Sequence, residues 1–142
     1  MEPEERHEVE ELLEFDEDSA AGRMTTEYVS VPVEATVADA VEALRVFDGD
    51  AERAAEVYLL DAGRVLRGAV PLVRMIVAQP ASHLKVLAEP RVRSCPAEMH
   101  QSDVAELFDK YNLHSLPVVD KQGRMVGVVH SDHVISFLLE KL

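Results

Sequence analysis

The sequence has no tryptophan, a single cysteine and few aromatic residues, 5% in all. One thiol, Cys95, excludes an internal disulfide. Set between Ser94 and Pro96, it reads as a small strand residue rather than a reactive group. No apolar run approaches the roughly 18 to 20 residues needed to cross a bilayer. The first residues carry no apolar signal region either. Both absences point to a cytoplasmic setting without direct membrane insertion. Bases are scarce as well: 14 Lys and Arg stand against 27 Asp and Glu, a net charge of −13. A chain of this sign repels phosphate backbones, which excludes nucleic acid as a partner. There is no Gly-rich phosphate loop. Ser19, Ser94 and Ser131 lie in no nucleophile elbow. Nothing in the sequence assembles a catalyst, so the chain is read as not an enzyme.

What is present is enough apolar material, 47% over 142 residues, for one ordinary domain or two small halves. The core must come from Val, Leu, Ala and Met. Charge is uneven: residues 1–18 hold ten acids and one base, Arg6. Over 3–15 the sequence predicts a helix, with Pro3 in the first turn and Val9, Leu12 and Leu13 as a narrow apolar stripe. Acidic helix faces are most often simply solvated, and divalent cations are their natural counterpart.

The chain is organised around Leu116-Pro117-Val118-Val119-Asp120-Lys121-Gln122-Gly123-Arg124-Met125-Val126-Gly127-Val128-Val129-His130. Two β-branched runs flank a polar turn in which Gly123 supplies a positive φ, so this is a β-hairpin. A helix follows, with Val134, Ile135, Leu138 and Leu139 on one face. A second copy lies at 57–70, followed by a short helix bearing Val73, Met75, Ile76 and Val77. Each hairpin is preceded by an extended segment (28–32 and 92–96) and a helix. Thr36 caps the first of these helices and Ser102 the second. Ser30, Pro32, Glu34, Asp39 and Glu42 recur 64 positions on as Ser94, Pro96, Glu98, Asp103 and Glu106. Asp61 and Gly68 recur 59 positions on as Asp120 and Gly127. The first copy therefore carries five extra residues, within the acidic stretch 47–56. A repeat of about 60 residues predicts a pseudo-symmetric α+β fold of two βαββα lobes. The expected divisions are 1–22 as acidic helix and linker, 23–82 as repeat one and 83–142 as repeat two.

The hairpin residues Leu116-Pro117-Val118-Val119-Asp120, Gly123-Arg124 and Gly127-Val128-Val129, running into a closing helix and occurring twice, resemble a tandem CBS-domain pair, or Bateman module, over about 23–142. The segment Glu17-Asp18-Ser19-Ala20-Ala21-Gly22-Arg23-Met24-Thr25-Thr26-Glu27-Tyr28-Val29, after Leu12-Leu13-Glu14-Phe15, resembles the start of the cytosolic CBS region of MgtE-family magnesium transporters. The resemblance implies a regulatory, ligand-sensing module that forms a homodimer and answers to Mg²⁺ held by interface acids. A transmembrane or other domain would then lie outside this chain. It also implies an adenine-nucleotide cleft. In CBS pairs that bind nucleotide, the second hairpin strand ends in Gly-x-x-Thr/Ser-x-x-Asp. Those positions here are Gly127, His130 and His133 in repeat two, and Gly68, Pro71 and Arg74 in repeat one. Both repeats lack the hydroxyl and the carboxylate. Proline has no donor, and arginine offers a ribose no acceptor. An adenine nucleotide is thus disfavoured. Were one to bind, repeat two would hold it, with Val92, Ser94, His114, Leu116 and Pro117 around the base and His130 and His133 near ribose and phosphate.

Two metal readings come from the residues themselves. Asp48, Asp50, Glu52 and Glu56, with Arg53 the one base among them, are the acids with least compensation and suit Mg²⁺. Glu34 and Asp39 are weaker candidates. His130, Asp132 and His133 at a strand–helix junction suit Zn²⁺ or Ni²⁺ if a third ligand arrives from His114 or a partner. Against the sensor stands a dimerisation module whose clefts have decayed.

Overall fold

The structure is a computed structural model in which residues 17–49, 54–89 and 91–140 are described. The expected helix over 3–15 lies outside them. The chain divides into two compact units.

The first unit holds Glu27–Arg93 together with Gln122–Met125. Strand β1 (Val29–Pro32) is followed by helix α2 (Val37–Arg45), strands β2 (Glu56–Leu60) and β3 (Leu66–Pro71), and helices α3 (Leu72–Ile76) and α4 (Leu84–Leu87). The sheet order is β1-β2-β3. β1 runs parallel to β2, pairing Val29 with Val57, and β2 antiparallel to β3, pairing Glu56 with Pro71. β1 alternates buried and exposed residues, whereas Val57 to Leu60 of β2 are all buried. An alternating strand has one face on the core; a continuous apolar run is covered on both. Val31, Ala40, Leu59, Val70, Met75 and Leu84 belong to the core. Thr36 caps α2 as expected. Its hydroxyl accepts from Asp39 N–H while Asp39 returns a bond to Thr36 N–H, a reciprocal capping box. α2 stops at Arg45. The hairpin of this unit turns at Asp61. Its Oδ1 accepts from the N–H groups of Gly63 and Val65, both at 2.9 Å. The left-handed residue is Arg64 (φ 68°), not Gly63.

The second unit holds the described residues up to Thr26 with Ser94–Lys121 and Val126–Leu142. Helix α1 (Ala20–Arg23) is capped by Ser19. Strand β4 (Cys95–Pro96) precedes helix α5 (Gln101–Tyr111), strands β5 (Ser115–Val119) and β6 (Met125–His130), and helix α6 (Ser131–Glu140). The sheet order is β4-β5-β6. Ala20, Cys95, Val104, Phe108, Leu116, Val118 and Val129 form the core. Gly123 takes the positive φ expected of it, 82°. The expected cap at Ser102 is corrected: α5 begins two residues earlier, and His100 caps it by accepting from Ser102 N–H through Nδ1. A ring nitrogen reaches that donor as an Asx oxygen would, so Ser102 lies inside the first turn. Helix α4 had no forecast, being only four residues long.

Candidate functional site

Each hairpin runs straight into a helix, and these junctions carry the positions that the sequence marks for ligand. In the first unit β3 passes into α3 through Pro71, whose φ of −63° suits a helix start without a donor. Arg74 then faces the residues after α4. Its Nη1 donates to Leu87 O at 2.9 Å, and its Nη2 pairs with Glu89 Oε1 at 2.9 Å. Glu89 N–H in turn donates to Ala69 O at 3.1 Å. Ala88 lies so close that a Cβ on Gly68 would stand 3.2 Å from it. The first-unit junction is therefore overlain by 87–89 of its own chain, to which Arg74 is bonded at Leu87 and Glu89.

In the second unit β6 ends at His130 and α6 starts at Ser131, whose N–H donates to His114 O at 2.9 Å. His130 is buried, at 8% exposure. Its backbone N–H donates to His133 Nδ1 at 3.1 Å. That bond uses Nδ1 as the acceptor. The two rings stand 5.6 Å apart at 49°. His133 is half-buried and Asp132 exposed. Among the described residues no three His, Cys, Asp or Glu side chains converge on a metal position. With Nδ1 of His133 engaged, the Zn²⁺ or Ni²⁺ reading has no assembled ligand set there.

The other predicted residues are placed as follows. Leu116 is 1% exposed and part of the core; Pro117 and Gly127 are also buried. Ser94 and His114 are exposed, and Val92 is half-buried. Asp48 is exposed after α2, and Glu56 is half-buried at the start of β2. Asp50 and Glu52 lie outside the described residues. Of the weaker candidates, Asp39 is occupied by the capping box, while Glu34 is exposed.

Sequence reasoning missed one cleft. At the far end of the first sheet from Pro71, about 450 Å³ opens between Ser30, Glu34, Leu60, Asp61 and Arg64. Asp61 is spent on its own turn: the Val65 N–H above all, then Arg67 and the Gly63 N–H, outweigh the cost of desolvation and hold its carboxyl below the usual value. In the second unit burial pushes the Cys95 thiol up to about 12, with Glu98 adding to the shift. A thiol so raised is no nucleophile.

Two small α+β units in tandem, each built on a hairpin leading into a helix, define a CBS-domain pair. The CBS domain family model matches residues 85–140. The magnesium transporter MgtE of Thermus thermophilus is 38% identical over 138 residues, 97% of this chain and 31% of that protein. MgtE of Bacillus subtilis is 32% identical over 141 residues, 99% of this chain and 31% of that protein. A crystal structure of the cytosolic domain of the Mg²⁺ channel MgtE in complex with ATP, 38% identical, covers 96% of this chain and 55% of its own, with a TM-score of 0.85. Residues 85–140 match the CBS domain, and the chain is homologous to the cytosolic CBS region of MgtE magnesium transporters. It spans about a third of the length of those relatives. The cystathionine beta-synthase pair domain of a putative Mg²⁺ transporter from Shewanella oneidensis, 21% identical with a TM-score of 0.82, shares the fold. No helix among the described residues is long and apolar enough to cross a membrane.

Proposed function

We propose that the chain is a regulatory module on the cytosolic side of an MgtE-type magnesium transporter, that it senses Mg²⁺, and that it acts as a homodimer without chemistry of its own. The observation that carries this reading is 38% identity to an MgtE transporter along 97% of the chain. The net charge of −13 supports a cation as ligand. Asp48, Asp50, Glu52 and Glu56 are the acids proposed to hold it, one or two directly and the rest through water. The metal shifts conformation only by its differential affinity for two states. A homodimer is supported by apolar side chains left in water on the first unit: Val73 at 69%, Ile76 at 79%, Val77 at 86% and Val86 at 78% exposure.

A second reading, an adenine-nucleotide sensor, is favoured by the ATP complex of the related cytosolic domain. Arg74 and its cover of 87–89 count against repeat one, which leaves His130 and His133 of repeat two as the proposed position. The test is thermal unfolding against MgCl₂, ATP and AMP at constant ionic strength. A ligand at ten times its dissociation constant adds about 1.4 kcal/mol, or about 4–6 °C for a domain of this size. A rise with Mg²⁺ beyond a matched NaCl control, removed by Asp48→Asn with Asp50→Asn, supports the sensor. A rise with nucleotide alone, removed by His133→Ala, transfers the function to repeat two. No rise with any of the three leaves a dimerisation module with decayed clefts.

A further inference from the structure

In the first unit, a later stretch of the chain is fastened across the point where β3 becomes α3. β3 is the last strand of its sheet, beside β2. Its Ala69 carbonyl accepts from Glu89 N–H at 3.1 Å. The stretch is also held from below. Leu84, at the start of α4, is fully buried in the core, and Leu87 and Ala88 pack against that core. Ala88 sits so near β3 that a Cβ on Gly68 would stand 3.2 Å from its own Cβ. Arg74 of α3 reaches into this cover. Its Nη1 donates to Leu87 O and its Nη2 meets Glu89 Oε1, each at 2.9 Å. One guanidinium thus spans residues 87 and 89. The two side chains are about half in water, at 46% and 42% exposure. An isolated pair so exposed is worth little, because both side chains must be ordered to form it. Here the main-chain bond to Ala69 already orders Glu89, and a second charge-assisted bond to Leu87 O orders Arg74.

We propose that Arg74 and Glu89 form an internal ion pair that shuts the first-unit junction to anionic ligands, phosphate groups above all. A guanidinium takes a phosphate best through two parallel N–H···O bonds. Arg74 has one terminal nitrogen spent on a carboxylate and the other on a carbonyl. An incoming phosphate must displace Glu89, and until it does it meets a like charge. The neighbouring positions offer no substitute: Pro71 has no N–H to donate, and Ala88 lies over Gly68. The junction therefore holds a latent anion position that the chain fills with its own carboxylate. The inference bears on the nucleotide reading without resting on it, since it holds whichever ligand the second unit takes.

The test is a titration of the ¹⁵N-labelled 142-residue chain with ATP and, separately, with inorganic phosphate at constant ionic strength. The readout is the amide resonances of Ala69, Leu72, Arg74 and Glu89 and the Nε–H of Arg74. In the wild type none of them moves. In Glu89→Ala both anions shift them, and adding Arg74→Ala to that variant abolishes the shifts. Resonances of His130 and His133 report the nucleotide reading separately, so failure of that reading leaves this result legible. Hydrogen exchange supplies a second measure. Arg74→Ala speeds exchange of Glu89 N–H about fivefold, because a charge-assisted bond and an ion pair are lost. Leu84 N–H, bonded to Ala35 O, and Ala40 N–H, bonded to Thr36 O, keep their rates. If Glu89→Ala fails to fold, the wild-type titration and the Arg74→Ala exchange still decide. First-unit resonances that move in the wild type, a Glu89→Ala chain in which none moves, or an Arg74→Ala chain with unchanged Glu89 exchange would each overturn the inference.

Discussion

Arg64 lies in the β2–β3 turn with φ of 68°, a conformation in which a Cβ crowds the following carbonyl. The turn imposes it: Arg64 N–H donates to Asp61 O at 2.9 Å, Asp61 N–H to Val65 O at 3.1 Å, and Arg64 O accepts from Met125 N–H at 3.1 Å. Fifty-nine positions on, the other hairpin places Gly123 at the same turn position with φ of 82°. The strain of a side chain there is about 1–2 kcal/mol. The perturbation is a pair of variants, Arg64→Ala and Arg64→Gly. Both remove the Arg64 side chain and whatever it touches, so their difference isolates the backbone. At an unstrained position alanine is the more stable by about 0.4–1 kcal/mol, because glycine frees the unfolded chain. Here the order reverses, with Arg64→Gly more stable than Arg64→Ala by about 1 kcal/mol. For a domain of this size that is about 3–5 °C in Tm. Urea unfolding followed by circular dichroism measures it as a shift in midpoint at unchanged slope. The reciprocal change Gly123→Ala costs about 1 kcal/mol or slightly more through φ alone, since its Cβ would meet Val65 Cγ1 at an ordinary 3.5 Å. An Arg64→Ala variant as stable as Arg64→Gly refutes the reasoning.

Asp61 and Cys95 give two further outcomes. Asp61 has its carboxyl held below its ordinary 3.8, chiefly by the Val65 N–H. A depressed carboxylate stabilises the fold above the unfolded value, and that contribution is lost as pH falls through the folded one. Between about pH 5 and pH 3 the wild type therefore loses stability more steeply than Asp61→Asn; parallel pH–stability curves for the two proteins would show that the turn bonds do not favour the ionised form. Cys95 is fully buried with its thiol pushed up to about 12. It stays unmodified by a thiol-specific disulfide reagent at pH 8 in buffer and reacts at once in denaturant, whereas rapid labelling of the native chain would contradict its burial.

What residues 17–140 owe to the sequence alone is local. β-branched runs on either side of Gly123, a Thr36 cap three residues before Asp39, and the recurrence of Ser30, Pro32 and Asp61 at fixed offsets made both hairpins, α2 and the duplication legible. Each signal acts within a few residues, and strand alternation and capping are short-range effects. What only the tertiary structure decided joins residues far apart. Gln101 meets Arg23 and Asp18 across 78 and 83 residues, and no spacing rule announces a buried amide at a helix start. Arg74 looked like a lost ribose ligand; the fold turned it onto Leu87 and Glu89. Gly127 looked like part of a nucleotide motif; Met24 and Thr25 pack so closely over it that the position requires a glycine. Leu116 looked like a cleft wall and is core. Local free energies specify each element and its register. Which side chains end in a cleft, under a neighbouring segment or in the core depends on what packs against them, and that is a property of the whole chain.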